Sequence, residues 1–290
     1  MRKIIILIPV YNDWESVYHL INNINKEIAN LNNSFSILII NDASTQKKPD
    51  QKFNSNNIHS IKIINMTNNK GHARCNAAGL KYIFEKEEFD YVIPMDGDGE
   101  DRPEEIKTIV EKIDTNSDFP VVGERIKRSE GLFFQFSYLI HKLLTSVFTG
   151  KNIKFGNFTC LSKVTVKKMI SEKATWSSFS GALSKLESKL IKVPSIRGKR
   201  YHGPSQMNLI NLIKHSFSIM AVFKYNVLVR SLLFLIVYLL LIFQKVSIIT
   251  FLPVIFILFF VIIILLLSKR ENIEEYNDCL KNISNIDTIK

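Results

Sequence analysis

The sequence predicts an α/β fold, a mostly parallel sheet flanked by helices, followed by a transmembrane helical hairpin. Three observations carry that reading. Over about the first 125 residues, short apolar runs alternate with stretches of helical periodicity, the pattern of β-α-β units and a parallel sheet. Three of the apolar runs end in acidic and amide residues, and open parallel sheets bind ligands beyond the carboxyl ends of their strands. Towards the C-terminus, residues 246–267 form a 22-residue run without a charge.

The elements follow in order. Residues 4–10 are apolar at successive positions and read as a strand buried on both faces. Met1-Arg2-Lys3 before them resembles the start of a signal peptide. The apolar run is only seven residues long, however, and Tyr11-Asn12-Asp13 follows at once without a small-residue cleavage site. The N-terminal domain is therefore expected in the cytoplasm. Residues 14–31 carry Val17, Leu20, Ile21, Ile24 and Ile28 on one helical face. Strands are expected at 35–40, 58–65 and 91–95, and a helix at 71–87. A helix at 103–113 opens with Pro103, Glu104 and Glu105, a proline and two acids where helix starts prefer them. Residues 120–122 begin another strand.

At ~1.5 Å per residue the run at 246–267 spans roughly 33 Å, enough for a bilayer core. It contains Pro253, which membrane helices tolerate. A second candidate at 225–243 has Arg230 near its start, where the guanidinium is expected to snorkel to the interface. Gln244 and Lys245 between them leave room for a tight hairpin. Lys214, Lys224 and Arg230 precede the pair, Lys269 and Arg270 follow it, and only Lys245 lies at the tip. The positive-inside rule then places both ends of the hairpin on the cytoplasmic side of the membrane. Upstream, residues 207–223 are amphipathic. Leu209, Leu212, Ile213, Phe217 and Met220 face one way, and Asn208, Asn211, Lys214 and His215 the other. With Pro204-Ser205 as a start, this stretch reads as an interfacial helix. The expected layout is a catalytic domain at 1–203, the interfacial helix at 204–224, two spans within 225–268 and a cytoplasmic tail at 269–290.

Apolar residues make up 46% of the chain, and 38 Lys and Arg against 27 Asp and Glu leave a formal charge of +11. Beside a hydrophobic C-terminal region, that balance points to an anionic membrane surface and an anionic substrate rather than nucleic acid. Cys75, Cys160 and Cys279 fit neither a disulfide framework nor a zinc spacing and are expected as free thiols. His72, His202 and His215 likewise have no ligand spacing and are expected on loops or the surface.

The polar strand ends carry the chemistry. The first reads Pro9-Val10-Tyr11-Asn12-Asp13, the second Asn41-Asp42-Ala43-Ser44-Thr45, and the fourth Asp96-Gly97-Asp98-Gly99-Glu100-Asp101. No Gly-x-Gly-x-x-Gly or Walker lysine loop occurs, so neither a dinucleotide nor a P-loop site is indicated. Carboxylates two apart on an extended chain point to opposite faces, but a glycine turn redirects them to one place. Asp96 and Asp98 then form a hard-oxygen site suited to Mg²⁺ or Mn²⁺, and such an ion can bridge a diphosphate.

The ordered series Ile8-Pro9-Val10-Tyr11-Asn12-Asp13, Ile40-Asn41-Asp42-Ala43-Ser44-Thr45, Asn69-Lys70-Gly71 and Met95-Asp96-Gly97-Asp98 resembles the family 2 glycosyltransferases, which have the GT-A fold. Gly123-Glu124-Arg125, Gly150, Asn157-Phe158 and Arg200-Tyr201-His202-Gly203-Pro204-Ser205 resemble the polyprenyl-phosphate branch of that family, as does the trailing pair of apolar helices. The resemblance implies a membrane-bound enzyme moving a sugar from a UDP- or GDP-sugar to a lipid phosphate. It implies that Asp42 contacts the base or ribose, with Pro9, Tyr11 and Asp13 lining that pocket. Asp96 and Asp98 would hold the metal and diphosphate, with Glu100 as a further ligand, and Arg125 and Arg200 would face phosphate groups. Two positions depart from the pattern: Glu100 stands where the branch often has glutamine, and Gln206 where it often has lysine. Two other functions fit the same residues. One is transfer to a sugar hydroxyl, with Glu124 or Glu100 as base; the other is a non-catalytic nucleotide-sugar-binding scaffold.

Overall fold

The computed structural model describes residues 1–49, 54–115, 119–127, 132–204 and 209–290. The first part of the chain alternates strand and helix: β1 (Arg2–Val10), α1 (Trp14–Glu27), β2 (Asn33–Asn41), β3 (Ile58–Met66), α2 (His72–Lys86), β4 (Tyr91–Pro94) and, after a 3-10 turn at Pro103–Glu105, α3 (Ile106–Thr115). The middle part comprises β5 (Val121–Lys127), α4 (Leu132–Thr149), β6 (Thr159–Ser162), α5 (Lys163–Ser171), α6 (Phe179–Leu186) and β7 (Ile191–Ile196). The last part is helical until its end: α7 (Leu209–Val222), α8 (Lys224–Ile242), α9 (Ile248–Ser268), α10 (Ile273–Asn277) and finally β8 (Ile283–Thr288).

The strands form one sheet in the order β7-β5-β6-β4-β1-β2-β3-β8. The centre is parallel, β1 pairing with both β2 and β4 and β2 with β3, and β5 also runs parallel to β7. β6 is antiparallel to β4 and β5, and β8 antiparallel to β3, so the sheet is mixed at its flanks. The uninterrupted apolar run of β1 has its reason here. Ile4, Ile6, Ile8 and Val10 pack with Val17, Leu20 and Ile24 of α1 and Ile106 and Val110 of α3. Ile5 and Leu7 face Leu80 and Ile83 of α2 and Leu183 of α6. A Cβ on Gly79 would stand 2.4 Å from Leu7 Cδ1, so glycine is what lets α2 lie close against β1.

α8 and α9 are each long and apolar enough to cross a membrane. Leu240, Leu241, Phe256 and Phe259 all point outward, as lipid-facing side chains do. Ser247 caps α9, exchanging hydrogen bonds with Thr250. Arg230, expected to snorkel, is held by a defined contact. Its Nη1 donates to the Val147 carbonyl (2.8 Å), and Asn226 Nδ2 donates to the Thr149 carbonyl (3.0 Å). The two side chains from α8 thus cap the C-terminus of α4, where a cation is favoured by the helix dipole. The amphipathic stretch expected at 207–223 forms α7 at Leu209–Val222, with residues 205–208 outside the described residues. Its Phe217 meets Phe260 of α9, ring centroids 5.5 Å apart, and Phe148 of α4 meets the same ring at 4.8 Å.

Residues 269–290, read from sequence as a tail, fold back onto the catalytic domain. Tyr276 is fully buried; it stacks on Trp176 with centroids 5.3 Å apart and donates to the Ala77 carbonyl at 3.3 Å. β8 then adds an edge strand beside β3. An edge strand this short and polar has no pattern of its own, and its partner lies more than two hundred residues earlier in the chain. Truncating a buried aromatic costs about 3–5 kcal/mol. Tyr276→Ala should therefore lower the thermal unfolding midpoint of the detergent-solubilised chain sharply. Tyr276→Phe, which removes a single hydrogen bond worth about 1 kcal/mol, should lower it slightly. Equal midpoints for the two variants would show that the tail does not pack.

Candidate active site

The order of strands reverses at β1: the chain builds outward through β2 and β3, then returns to place β4 on the other side of β1. Such a switch point opens a crevice at the carboxyl ends of the strands. The predicted residues gather there. Tyr11 is half exposed just past the end of β1 (49%). Asn12 follows in a left-handed conformation (φ 52°) and ties this end to the end of β2. Its Oδ1 accepts from the Thr45 and Gln46 N–H groups at 2.8 and 3.0 Å, and its own N–H donates to Ser44 Oγ at 2.9 Å. Asp42 is buried. Its two oxygens accept the backbone N–H groups of Lys70 (2.7 Å) and Gly71 (2.8 Å), which fastens the start of α2 to the end of β2.

After β4 the chain makes the acidic turn. Asp101 closes it from inside, its Oδ2 accepting the Asp96 N–H at 2.9 Å, while Asp98 Oδ1 accepts the Glu100 N–H at 3.0 Å. The segment that follows β7 lies over this turn. Gly198 N–H donates to the Glu100 carbonyl (2.8 Å) and Tyr201 N–H to the Asp98 carbonyl (2.9 Å). Arg200 links two strand ends at once, with Nη1 2.7 Å from Asp98 Oδ2 and Nη2 2.6 Å from Asp13 Oδ2. Arg197 pairs with Glu100. Asp96 meets His72 Nε2 and Asn157 Nδ2, each 3.2 Å from its Oδ1. Arg125, on β5, adds its positive field to Asp96 and Asp101.

Charge crowding marks the turn. Burial first, then the nearby Asp96 and Glu100, push Asp98 up to about 6, and burial followed by Asp96 pushes Asp101 to about 7. Burial works in the same direction on Asp96, but His72 beside it, together with Arg197 and Arg125, outweighs that effect and holds the carboxyl well below the usual carboxylate range. These carboxylates repel one another, and a cation relieves that repulsion. Among the described residues no three carboxylate, imidazole or thiolate groups converge as a complete metal cage. Two carboxylates with the remaining positions left to water and substrate phosphate are how Mg²⁺-type ions are commonly held, so Asp96 and Asp98 fit the group. Glu100, expected as a further ligand, is turned to Arg197 instead. The buried Nε groups of Arg197 and Arg200 have no hydrogen-bond partner, and two unused guanidinium donors in one crevice are suited to phosphate oxygens.

The sheet order and crevice are those of a GT-A transferase fold. The family model described as "Glycosyl transferase family 2" matches residues 5–178, more than half of the chain, and the protein belongs to that family. Among curated proteins it is similar to the undecaprenyl-phosphate 4-deoxy-4-formamido-L-arabinose transferases of Salmonella choleraesuis and Salmonella newport. Identity to each is 28% over 223 residues, covering 73% of this chain and 66% of the relative. The chain thus spans just under two thirds of the length of these relatives. Among solved structures it is similar in fold to glucosyl-3-phosphoglycerate synthase from Mycobacterium tuberculosis, described in complex with Mn²⁺, UDP-glucose and phosphoglyceric acid. That match has a TM-score of 0.54 and 14% identity, over 78% of this chain and 80% of the other. A fragment of S. aureus TarS matches with a TM-score of 0.50 and 13% identity, over 77% of this chain and 65% of the other.

Sequence reasoning missed four members of the site. Asn157 carried part of the family resemblance but no role of its own. His72 is exposed at the start of α2, as its expected surface position required, but its contact with Asp96 was not foreseen. Arg197 was one of several basic residues before the membrane, and Asp101 one of several acids in the turn. Proximity, which only the fold supplies, separates them from their neighbours. Gln206 lies outside the described residues. Gly99 has φ +87°, and a Cβ there would meet Tyr201 Cε2 at 2.4 Å. Gly99→Ala should cost at least about 1 kcal/mol from the backbone alone and displace Tyr201 from the turn. A thermal unfolding midpoint equal to wild type would contradict this packing.

Proposed function

We propose that this protein is a membrane-bound glycosyltransferase that moves a sugar from a nucleotide-sugar, UDP- or GDP-linked, to a polyprenyl phosphate of the undecaprenyl type. The observation that carries the reading is the acidic turn ringed by guanidinium groups at the switch point of the sheet, in a chain bearing an outward-facing apolar hairpin. The lipid-phosphate acceptor is further supported by the curated relatives, which are named for an undecaprenyl-phosphate substrate.

On this reading Tyr11 offers an aromatic face to the nucleotide base, with Pro9 and Asp13 beside it. Asp42 shapes the floor of that pocket by holding Lys70 and Gly71. Asp96 and Asp98 hold a divalent cation, Mg²⁺ or Mn²⁺, which supplies charge neutralisation at the leaving diphosphate. Arg125, Arg197 and Arg200 bring two polyanions together, a task of positioning and electrostatic stabilisation. The acceptor oxygen of a lipid phosphate is already anionic near neutral pH, so no strong base is required. It attacks the anomeric carbon in line as the bond to the diphosphate breaks, inverting the configuration there.

Transfer to a sugar hydroxyl is less well supported, because both acids that could serve as its base are engaged. Glu124 is paired with Lys192 at 3.0 Å and Lys154 at 3.8 Å, and Glu100 with Arg197. A non-catalytic scaffold would have no use for the paired Asp96 and Asp98. We place the catalytic domain and both termini on the cytoplasmic side. The basic residues at the hairpin's ends support this, as does the return of β8 to β3, which keeps the two ends of the hairpin together. α4 extends the apolar underside: Ile140, Leu143 and Val147 are exposed along it, next to the capped end that meets α8.

Membranes containing the protein, given radiolabelled nucleotide-sugars, should place label in a mild-acid-labile lipid fraction, and chelation of divalent ions should stop transfer. Asp98→Ala should lower the rate by about two orders of magnitude, the usual scale for loss of an electrostatic stabiliser. Label appearing only in glycan, or full Asp98→Ala activity, would overturn the reading, and a product with retained configuration would overturn inversion.

A further inference from the structure

The N-terminus of α2 is where three parts of the site meet. Gly71 precedes it under the Asp42 carboxylate, and His72 opens it beside Asp96. The turn is electrostatically unfavourable on its own sequence. Helix N-termini prefer anions, yet the first turn of α2 has no acidic residue and its N-cap, Gly71, has no side chain to cap with. Lys70, just before this end, and Arg74, in its first turn, instead bring two positive charges to one place, where like charges repel.

Asp42 answers the backbone N–H groups here, and the side-chain charges of Lys70 and Arg74 are met from the far end of the chain. Glu275 Oε1 lies 3.1 Å from Lys70 Nζ, and its Oε2 lies 3.2 Å from Arg74 Nη2. The same Oε2 accepts the Trp176 Nε1–H at 3.0 Å, and the Arg74 guanidinium lies over the Trp176 ring, 5.3 Å from its centroid. Glu275 belongs to α10, which begins only a short turn after α9 ends at Ser268. Its own N–H is held by the Asn272 side chain at 3.0 Å, and the adjacent Tyr276 is locked in the core. The carboxylate is therefore presented by a rigid segment that emerges directly from the second apolar helix.

We propose that Glu275 is a positioning residue for the donor site. By neutralising Lys70 and Arg74 it holds the first turn of α2, and with it Gly71 and His72, in the place that Asp42 and Asp96 require. The consequence is that the second membrane helix and the nucleotide-sugar pocket are joined through one carboxylate. The functional part of this inference rests on the proposed transferase reading, whereas the structural part does not.

The experiment uses the full-length chain in detergent micelles, as wild type, Glu275→Gln, Arg74→Met and the double variant. Glu275→Gln keeps the shape and the contact to Trp176 but removes the charge. Amide hydrogen exchange over residues 70–76 should speed up about tenfold in Glu275→Gln, while β1 and β4 stay protected. In transfer assays the KM for the nucleotide-sugar should rise about tenfold, with kcat and the KM for the lipid phosphate within about twofold of wild type. Such a tenfold change is within the range that coupled contacts produce. The double variant should be no worse than the poorer single one. Unchanged exchange at 70–76, equal rises in both KM values, or fully additive effects in the double variant would each overturn the proposal. Lys70→Met supplies a second approach to the same contact if Glu275→Gln fails to fold, with the same exchange result expected. If wild type transfers no sugar from any donor, the transferase reading falls while the exchange comparison still judges Glu275.

Discussion

The bridge from Arg200 to Asp98 and Asp13 is the interaction on which the site depends. It spans the ends of β1 and β4, the two strands that flank the crevice, and it comes from neither of them. Five acids, Asp13, Asp96, Asp98, Glu100 and Asp101, stand close together, and burial, aided by the neighbouring carboxylates, pushes Asp98 and Asp101 toward neutrality. Buried like charges are costly unless each finds an opposite partner. The segment after β7 supplies those partners as Arg197 and Arg200, and its backbone binds the same turn at Gly198 and Tyr201. The acidic turn is thus completed by residues about a hundred positions later in the chain, and neither half makes a site alone.

That arrangement suits the transfer of a group between polyanions. In the structure the guanidiniums of Arg197 and Arg200 offset part of the carboxylate crowding. On the proposed reading the arginines would turn to the phosphates of an entering diphosphate and Asp96 and Asp98 to its cation, each charged group exchanging one ionic partner for another. The buried, unpartnered Nε atoms of Arg197 and Arg200 show that part of the donor capacity is already in reserve. Donors already held in a partly dry crevice reduce the reorganisation that stabilising a developing charge requires.

The legible part of this protein was the part written locally. The buried run of β1, the helical faces of α1 and α2, the Asp96-Gly97-Asp98 turn and the uncharged stretch of α9 each announce themselves within a window of ten to twenty residues. Arg125 and Arg200 could be named because a family pattern singles them out. What could not be read depends on contacts between distant segments. β6 and β8 are short strands whose antiparallel partners lie far away in the chain, and the hydrogen bonds of a sheet edge leave no periodic trace in so few residues. His72 resembles any other polar residue at a helix start until the fold sets it against Asp96. Glu100 stands out in sequence as a departure from the family pattern, but Arg197 is only one of a basic cluster, and their pairing changes what each can do.

The same distinction governs how the enzyme meets its membrane. On the proposed reading the acceptor is a lipid phosphate at a fixed depth, so a catalytic domain that swivelled freely on its anchor would meet it at varying distances. Three attachments restrain it. α4 is capped by Asn226 and Arg230 from α8, α4 and α7 each lay an aromatic ring against Phe260 of α9, and the chain leaving α9 returns into the sheet through Tyr276 and β8. The loop between α4 and β6 carries Asn157 to Asp96, so the first attachment leads into the site from one side. The returning segment touches α2 beside Asp42 and Asp96, so the third leads into it from the other. The hairpin and the acidic turn are therefore joined by one continuous set of packed contacts, and on the proposed reading the hairpin takes part in building the active site as well as anchoring it.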